Sequence, residues 1–552
     1  MPVRRLSLYG ILFACSGALL AAGGMAGAAV ITLDAATRYQ TVTGWEATAW
    51  ANQDSPAFPN FIDTLADQAA NDLGINRVRL ELRSGSENSV DYWTQYHTGV
   101  IDYPTWRSVR YATVNDNADP NTLNPAGYFF SELDDTVTRV VTPLKQKVEA
   151  RGEKFYVNLN YVAFTGQIGS GLQYIHDDPQ EYAEFVLAAF RHLQSRFGWV
   201  PDYYEIILEP DNVSQWSGSL IGQAVMACAN RLQAEGFHPR FIVPSTTNMG
   251  NAVTYFDQMV QVAGFSSYLP WLAEISYHRY GGVSTANLQA IASRGMQYQL
   301  NTAMLEWWND PNPYLTLRQD LELGRNSAWQ EGTLVGLYSV DESNPNSPVV
   351  QLSDHAKFTR QYYKFIRSGA VRIAAASTDG NFSPLAFINS NGGYAVVVQA
   401  AAAGGFTLAD LPPATYGVKY TTASQYDVDL ADQALAEGAE LAASIPGAGV
   451  ITVYDKSTPS APDPGASRPP LVYPNPGRDR ISFRFQPAAW AHLQVRIFNF
   501  NGELAARISG DVDPVQNTLT WDAGPAAPGV YLYQVDWNGR PATRGKIAVG
   551  KH

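Results

Sequence analysis

The sequence predicts an α/β fold: a (β/α)8 barrel with a side β-sandwich, followed by a linker and a small C-terminal all-β sandwich. Three observations carry that expectation. Short apolar, strand-like runs alternate with amphipathic helical stretches along most of residues 41–366, the pattern of parallel strands joined by crossover helices. After residue 366 the helical stretches stop, and short strands follow one another across Gly, Asn and Pro turns. Residues 456–470, KSTPSAPDPGASRPP, hold no apolar period and read as an extended linker, beyond which polar–apolar alternation resumes.

In chain order, the first 28 residues read as a secretory signal. Arg4 and Arg5 are followed by an apolar run to about Leu20 and by the small-residue site Ala26-Gly27-Ala28. Leu12-Phe13-Ala14-Cys15 is a poor match to a lipidation motif because of Phe13. The signal takes Cys15 with it, so Cys228 stands alone without an intrachain disulfide partner and reads as a small helical core residue. Residues 29–44 and 367–456 are assigned to the side sandwich, 45–366 to the barrel, 457–470 to the linker and 471–552 to the last domain. The eight barrel strands are placed at 41–50, 75–82, 154–162, 203–210, 240–245, 272–280, 298–308 and 332–340. Between the third and fourth, DPQEYAEFVLAAFRHLQSRFG is a helix with Asp178 as N-cap and Pro179 in its first turn.

A net charge of -13 argues against nucleic-acid or anionic-membrane partners, which reward clustered Lys and Arg. No stretch after the signal is long and apolar enough to span a bilayer. The 13 Trp and 30 Tyr suit a cleft for sugar rings, which need flat apolar faces with polar rims, although such residues also fill cores.

Breaking a glycosidic bond takes two carboxyl groups across it, one to protonate the leaving oxygen and one to attack the anomeric carbon or activate water. In a (β/α)8 barrel such groups stand at the C-terminal ends of strands. Glu209 follows the apolar run YYEIIL and precedes Pro210, and Glu306 follows LNTAML. They lie roughly a hundred residues apart, or about three βα units of a ~250-residue barrel, which lets them face one another across the mouth. Glu46 and Glu81, near early strand ends, are expected to bond sugar or Arg. Glu274 is expected at the opposite end of its strand, and Asp211 as a loop cap.

With those residues in view, the chain resembles glycoside hydrolase clan A, most closely family 30, over roughly residues 31–456. IILEPDN is similar to that family's strand-4 motif and implies Glu209 as acid/base; MLEWW is similar to its strand-7 motif and implies Glu306 as nucleophile. YKFIRSGAVRI is similar to the segment joining the last barrel helix to the family's side sandwich, and TRYQTVTGWEATA to its first strands. One position departs: Leu208 stands where the family has the Asn that bonds the sugar 2-hydroxyl, so Asn160 or Asn212 takes that part or the sugar is held differently. Arg79 is similar to the strand-2 Arg beside the nucleophile, where a fixed guanidinium keeps a carboxylate ionised. His278 and Tyr280 fall where similar enzymes bond nucleophile or sugar. Trp307, Trp308, Trp45 and Trp216 are candidate stacking platforms, with one of the first two expected in the core by strand alternation.

The resemblance implies a secreted retaining β-glycoside hydrolase working by double displacement, with the Glu209 pKa raised by its negative neighbour. No HExxH, Cys cluster, P-loop or dinucleotide fingerprint occurs, and neither metal nor cofactor is expected. The alternatives are a catalytically inactive glycan-binding surface protein on the same fold, or another clan A family with a different sugar.

The last 80 or so residues resemble the type A sorting domain of the type IX secretion system. Tyr473-Pro474-Asn475-Pro476, Phe498-Asn499-Phe500-Asn501-Gly502, Gly529-Val530-Tyr531 and the closing GKIAVGK carry the likeness. It implies export through periplasm and outer membrane to the medium or cell surface, with the secretion machinery as partner besides the carbohydrate substrate. A monomer is expected.

Overall fold

The computed structural model describes residues 29–308, 310–456, 470–485, 491–513, 517–537 and 540–550. The expected signal at 1–28, Cys15 with it, and all of the expected linker except residue 470 lie outside the described residues. Among the described residues no helix is long and apolar enough to cross a membrane.

The chain enters through a long strand, β1 (Ala29–Thr41), and passes into eight strands that close into a barrel in sequence order. These are β2 (Gly44–Thr48), β3 (Arg77–Arg83), β4 (Tyr156–Val162), β5 (Tyr203–Glu205), β6 (Arg240–Asn248), β7 (Leu272–Gly281), β8 (Asn301–Glu306) and β9 (Asn326–Thr333). Every neighbouring pair is parallel, and β9 returns to β2. The helices outside cover the barrel with one apolar face each. Pro179–Phe197 is typical: Asp178 accepts a hydrogen bond from the Gln180 N–H at 2.7 Å, Gly198 ends the helix in the left-handed conformation, and Tyr182, Phe185, Val186, Ala189 and Leu193 are fully buried. Cys228 is buried in the helix Gly218–Ala234.

Two strand placements differ from the sequence expectation. The eighth barrel strand is Asn326–Thr333, NSAWQEGT, whereas 332–340 had been expected. Its polar residues face a polar barrel interior, so it lacks the apolar run that marks a strand; the apolar residues of 335–340 belong instead to a short 3-10 turn and to the strand Tyr338–Asp341, which pairs with Val349–Leu352. The fourth strand is regular only over Tyr203–Glu205; beyond it the chain keeps single bonds to both neighbours, from the Leu208 N–H to Tyr161 O at 2.9 Å and from the Glu209 N–H to Ser245 O at 3.0 Å.

Residues 371–455 and β1 form a nine-stranded sheet against the barrel. β1 pairs antiparallel with Val371–Ser377 and parallel with Gly404–Leu408. Alternation splits its side chains between two cores: Leu385, Phe387 and Val397 join the barrel cluster, while Ala386, Val396 and Val398 face a separate cluster inside the sheet's own fold. The helix Asp354–Tyr363 is bolted to this sheet by Gln361, whose amide donates to Thr421 Oγ1 at 3.0 Å and whose carbonyl accepts from Thr452 Oγ1 at 2.9 Å. The C-terminal region is a separate all-β unit of a three-stranded and a four-stranded sheet over a core that includes Phe483, Val495, Trp521 and Tyr533.

The barrel interior carries charge. At its N-terminal end Arg77 donates to both oxygens of Glu274, at 2.7 and 2.8 Å, and through Nε to Glu46; all three side chains are fully buried. Glu274 thus lies at the end opposite the mouth, and Glu46 bonds Arg rather than lining the cleft. Asn158 links this layer to Glu205 at 2.9 Å. Burial raises the Glu46 pKa despite the opposing charge of Arg77. Removing one member of a buried charge group leaves the others uncompensated, at about 3–5 kcal/mol. Arg77→Met is therefore expected to lower stability by about that amount, read as a lower urea midpoint at unchanged slope; a midpoint equal to wild type would refute a structural role for the triad.

Candidate active site

Glu306 is the last residue of β8, where strand geometry delivers its side chain to the C-terminal mouth of the barrel. Glu209 reaches the same place by another route. It holds the left-handed conformation (φ 52°, ψ 57°) and caps the short 3-10 turn Pro210–Asn212. A non-glycine residue there is costly and persists only where the surroundings impose it. The neighbouring Asp211 accepts from the backbone N–H groups of Thr247 and Asn248 at 2.7 and 3.0 Å, and from the Asn251 amide at 2.9 Å; it is the loop cap that the sequence suggests.

One carboxylate oxygen of Glu209, one of Glu306 and one ring nitrogen of His278 all lie within 4.8 Å of one another. Arg79, fully buried on β3, donates to Glu306 Oε2 at 2.5 Å and to the Leu305 carbonyl at 3.3 Å. The Tyr280 hydroxyl donates to Glu306 Oε1 at 2.9 Å. Glu209 pairs through Oε1 with His278 Nδ1 at 2.9 Å and accepts from the Asn212 amide through Oε2 at 3.0 Å. Thr247 Oγ1 accepts the same Asn212 amide at 2.8 Å, a contact that no sequence signal announced. By spacing, Glu209, His278 and Glu306 match a set of metal ligands. Every one of the four carboxylate oxygens is already hydrogen-bonded, however, and Arg79 supplies a charge that a second cation would oppose.

The two carboxylates are therefore unequal. Burial pushes Glu209 up, but the hydrogen bond and charge of His278, followed by the Asn212 bond, hold it below its ordinary value. This reverses the expected direction, because the nearest charged partner is an imidazolium and not only the second carboxylate. Burial lowers His278 in turn, and the bond to Glu209 with the charges of Glu306 and Glu209 raises it overall. Burial, followed by the charge of Glu306, raises Tyr280, which stays a donor.

The other candidates divide. Trp308 is 43% exposed and faces a cavity of about 450 Å3 lined also by Trp50, Arg79, Glu81, Arg83 and Tyr103. Trp307 is half-buried with the Arg279 guanidinium 5.2 Å from its ring centre, so the alternation of the pair is as expected. Asn160 is fully buried inside the barrel and neither its oxygen nor its nitrogen has a hydrogen-bond partner in the described residues. Trp45 and Trp216 are not platforms. Trp45 is fully buried, stacked on Tyr363 at 4.5 Å and bonded through Nε1 to Ile366 O; Trp216 is buried with Nε1 bonded to the Tyr174 hydroxyl at 2.7 Å. The cleft-facing aromatics that took their place, Trp50 and Tyr103, are 46% and 50% exposed. A second cavity of about 300 Å3 shares Trp50, Arg83 and Tyr103 and adds Trp93 and Trp106 from the insertion that follows β3.

Comparison with known proteins bears on this geometry. The structure is similar to a GH30 endoxylanase from Clostridium papyrosolvens (TM-score 0.55, 16% identity, 77% of this chain and 99% of the other). It is also similar to the catalytic domain of GH30 xylanase C from Talaromyces cellulolyticus (0.53, 16%, 77% and 100%). A conserved exported protein from Bacteroides fragilis is similar to the same extent (0.56, 15%, 77% and 100%). The likeness to family 30 glycoside hydrolases is one of fold. Residues 471–549 match the model of the Secretion system C-terminal sorting domain, which points to export. No curated protein matches the chain in sequence.

Proposed function

We propose that the chain is an exported retaining β-glycoside hydrolase, with Glu306 as nucleophile and Glu209 as acid/base. The observation that carries this reading is the approach of the two carboxylates to within 4.8 Å at the mouth of the barrel. Retaining glycosidases hold the pair about 5–5.5 Å apart; inverting ones leave about 6.5–9.5 Å for a water. The roles follow from the partners. Arg79 and Tyr280 neutralise and orient Glu306, which suits a group that must attack as an anion. Glu209 sits beside a proton source. In the free chain the two shifts, Glu209 downward and His278 upward, favour the proton on the imidazole. When a sugar covers the site and expels water, a separated imidazolium and carboxylate become costly, and transfer across 2.9 Å leaves two neutral groups. Glu209–H then protonates the leaving oxygen while Glu306 attacks the anomeric carbon. Once Glu306 is esterified, Glu209 takes a proton from water, and the hydroxide displaces the ester with a second inversion, giving net retention. Besides the glycoside, these steps consume one water.

The fold's neighbours include enzymes named as xylanases and an endo-β-1,6-glucanase, so β-xylans and β-glucans head the panel of substrates. The match of 471–549 supports delivery by a type IX route across the outer membrane, with release or surface attachment afterwards. Digestion of such a panel, followed by proton NMR of the first product within minutes, tests the reading. The expected first anomer is that of the substrate. An inverted anomer would overturn the role of Glu306, and absence of turnover on every glycan would favour a glycan-binding protein.

A further inference from the structure

The wall of the cleft beyond the catalytic pair is aromatic and stiff. Trp50, Tyr103 and Trp308 are half-exposed, and all three line the cavity of about 450 Å3 that also holds Arg79, the partner of Glu306. Single apolar rings left in water need no explanation, but three on one concavity mark a binding surface. The cavity of about 300 Å3 is continuous with the first, because Trp50, Gln53, Arg83, Tyr103, Glu132 and Thr136 line both. Its remaining aromatic wall comes from two short helices of the insertion after β3, Tyr92–His97 and Tyr103–Val109. Their rings hold one another. Tyr96 stacks on the buried Trp106 at 4.9 Å with the planes 16° apart, Tyr103 lies 5.9 Å from Trp106, and Trp93 lies 4.0 Å from His97. Trp106 is fixed in turn by the guanidinium groups of Arg83 and Arg110, at 5.7 and 4.8 Å from its ring centre. A wall ordered before its ligand arrives spends little further entropy on binding.

We propose that this second cavity is a distal subsite that seats an uncharged sugar ring of the same glycan, further along the chain from the bond at the catalytic pair. The inference rests on the reading of the barrel mouth as a glycan site and adds a substrate class to it: a chain long enough to reach the insertion, rather than a monoglycoside. Continuity of the two cavities gives a linear chain a path from Arg79 and Glu306, past Trp50 and Tyr103, to Trp93. A pyranose presents C–H faces to aromatic rings and hydroxyls to polar groups. The second cavity offers both, with Gln53, Asp54, Asp135 and Thr136 beside its rings. Charge decides what kind of ring fits. Three acids line the cavity, and each already has a basic partner: Arg83 reaches Glu132 at 2.8 Å, Arg139 reaches Asp135 at 3.3 Å and His97 reaches Asp54 at 3.9 Å. A uronic acid seated there would meet carboxylates and no uncommitted base, whereas the hydroxyls of a neutral sugar donate to those same oxygens.

The test is calorimetric binding to full-length Glu306→Gln, in which the probes are not consumed. Two neutral series, xylo-oligosaccharides and β-1,6-gluco-oligosaccharides from disaccharide to hexasaccharide, are compared with an acidic series of oligogalacturonides. In a neutral series the hexasaccharide is expected to bind on the order of tenfold tighter than the disaccharide, the scale of one well-stacked ring. The oligogalacturonides should show no such gain. Adding Trp93→Ala is expected to remove most of the gain and leave the disaccharide bound as before, a pattern that general damage to the fold would not produce. Trp93→Tyr, which keeps a flat ring, should retain it. Tyr103→Ala, half-exposed at the start of its helix, is a second variant should Trp93→Ala not fold, and is expected to weaken the hexasaccharide more than the disaccharide. No binding by either neutral series, equal affinity at every length, an equal gain in the acidic series, or a gain untouched by the variants would overturn the proposal. A gain with length in oligosaccharides that the wild type does not cleave would support the subsite while refuting the catalytic reading.

Discussion

Glu306→Gln is expected to lower kcat/KM on every cleavable glycoside by on the order of 10⁵, the scale of loss when the nucleophile of a covalent mechanism is removed. The amide keeps the size of the carboxylate and still accepts from Tyr280, but its oxygen carries no charge with which to attack. It also removes the hydrogen-bonded anionic partner of the fully buried Arg79, leaving the longer pairing with Glu81 at 3.9 Å, so some loss of stability accompanies the loss of activity. A thermal melt separates the two effects: the variant stays folded at the assay temperature while turnover is gone. A smaller side chain extends the argument. Glu306→Ala opens space on the attacking face, and added azide then displaces the leaving group there in one step. The expected product is a glycosyl azide of inverted anomeric configuration, identified by NMR. Retained turnover in Glu306→Gln, or an azide of unchanged configuration from Glu306→Ala, would assign the attacking group elsewhere.

How much of this was legible in the sequence depends on which physical signal each residue leaves. Glu306 was legible because it closes a strand that is apolar up to that point, and β8 does end there. Glu209 was placed at the mouth for a related reason that proved only half right: β5 is regular to Glu205 alone, and a left-handed residue with cross-strand bonds completes the approach. Periodicity cannot register such an irregular end. The eighth strand went unread because its interior face is polar, and polar strands lack the apolar runs by which strands are found. Trp45 failed as a platform since a barrel strand is covered on both faces, by helices outside and side chains within, so an aromatic on it has no pattern to say which way it points; Trp216 lies in the loop before the helix Gly218–Ala234 and is buried there by a contact with Tyr174 that is distant in sequence. Trp50 sits on a loop, and Tyr103 opens a short helix within the insertion after β3, and no local rule sets the path of either segment. The pairing of His278 with Glu209 joins residues distant in sequence, and with it went the direction of the Glu209 titration.

Glu209→Ala carries the complementary expectation, and the contrast with Glu306 separates the two roles. General acid–base groups contribute about 10²–10⁴-fold, so loss on a natural polysaccharide is expected within that range. With an aryl glycoside whose phenolate leaves without protonation, the first step needs no acid and proceeds at near wild-type rate. Deglycosylation still lacks its base, so a burst of phenolate should precede a slow steady state, with the glycosyl ester on Glu306 visible as added mass. Azide, which needs no base, should accelerate that second step and give a glycosyl azide of retained configuration, opposite to the product of Glu306→Ala. The pH profile adds an independent reading. In the wild type the Glu209–His278 pair must hold one proton, so activity falls on the alkaline side as the pair loses it. Sensitivity of the first step to alkali should vanish in Glu209→Ala for the aryl substrate, since no protonated acid is then required. A variant equally impaired on activated and natural substrates, with its alkaline limb intact, would show that Glu209 positions the site and that another group moves the proton.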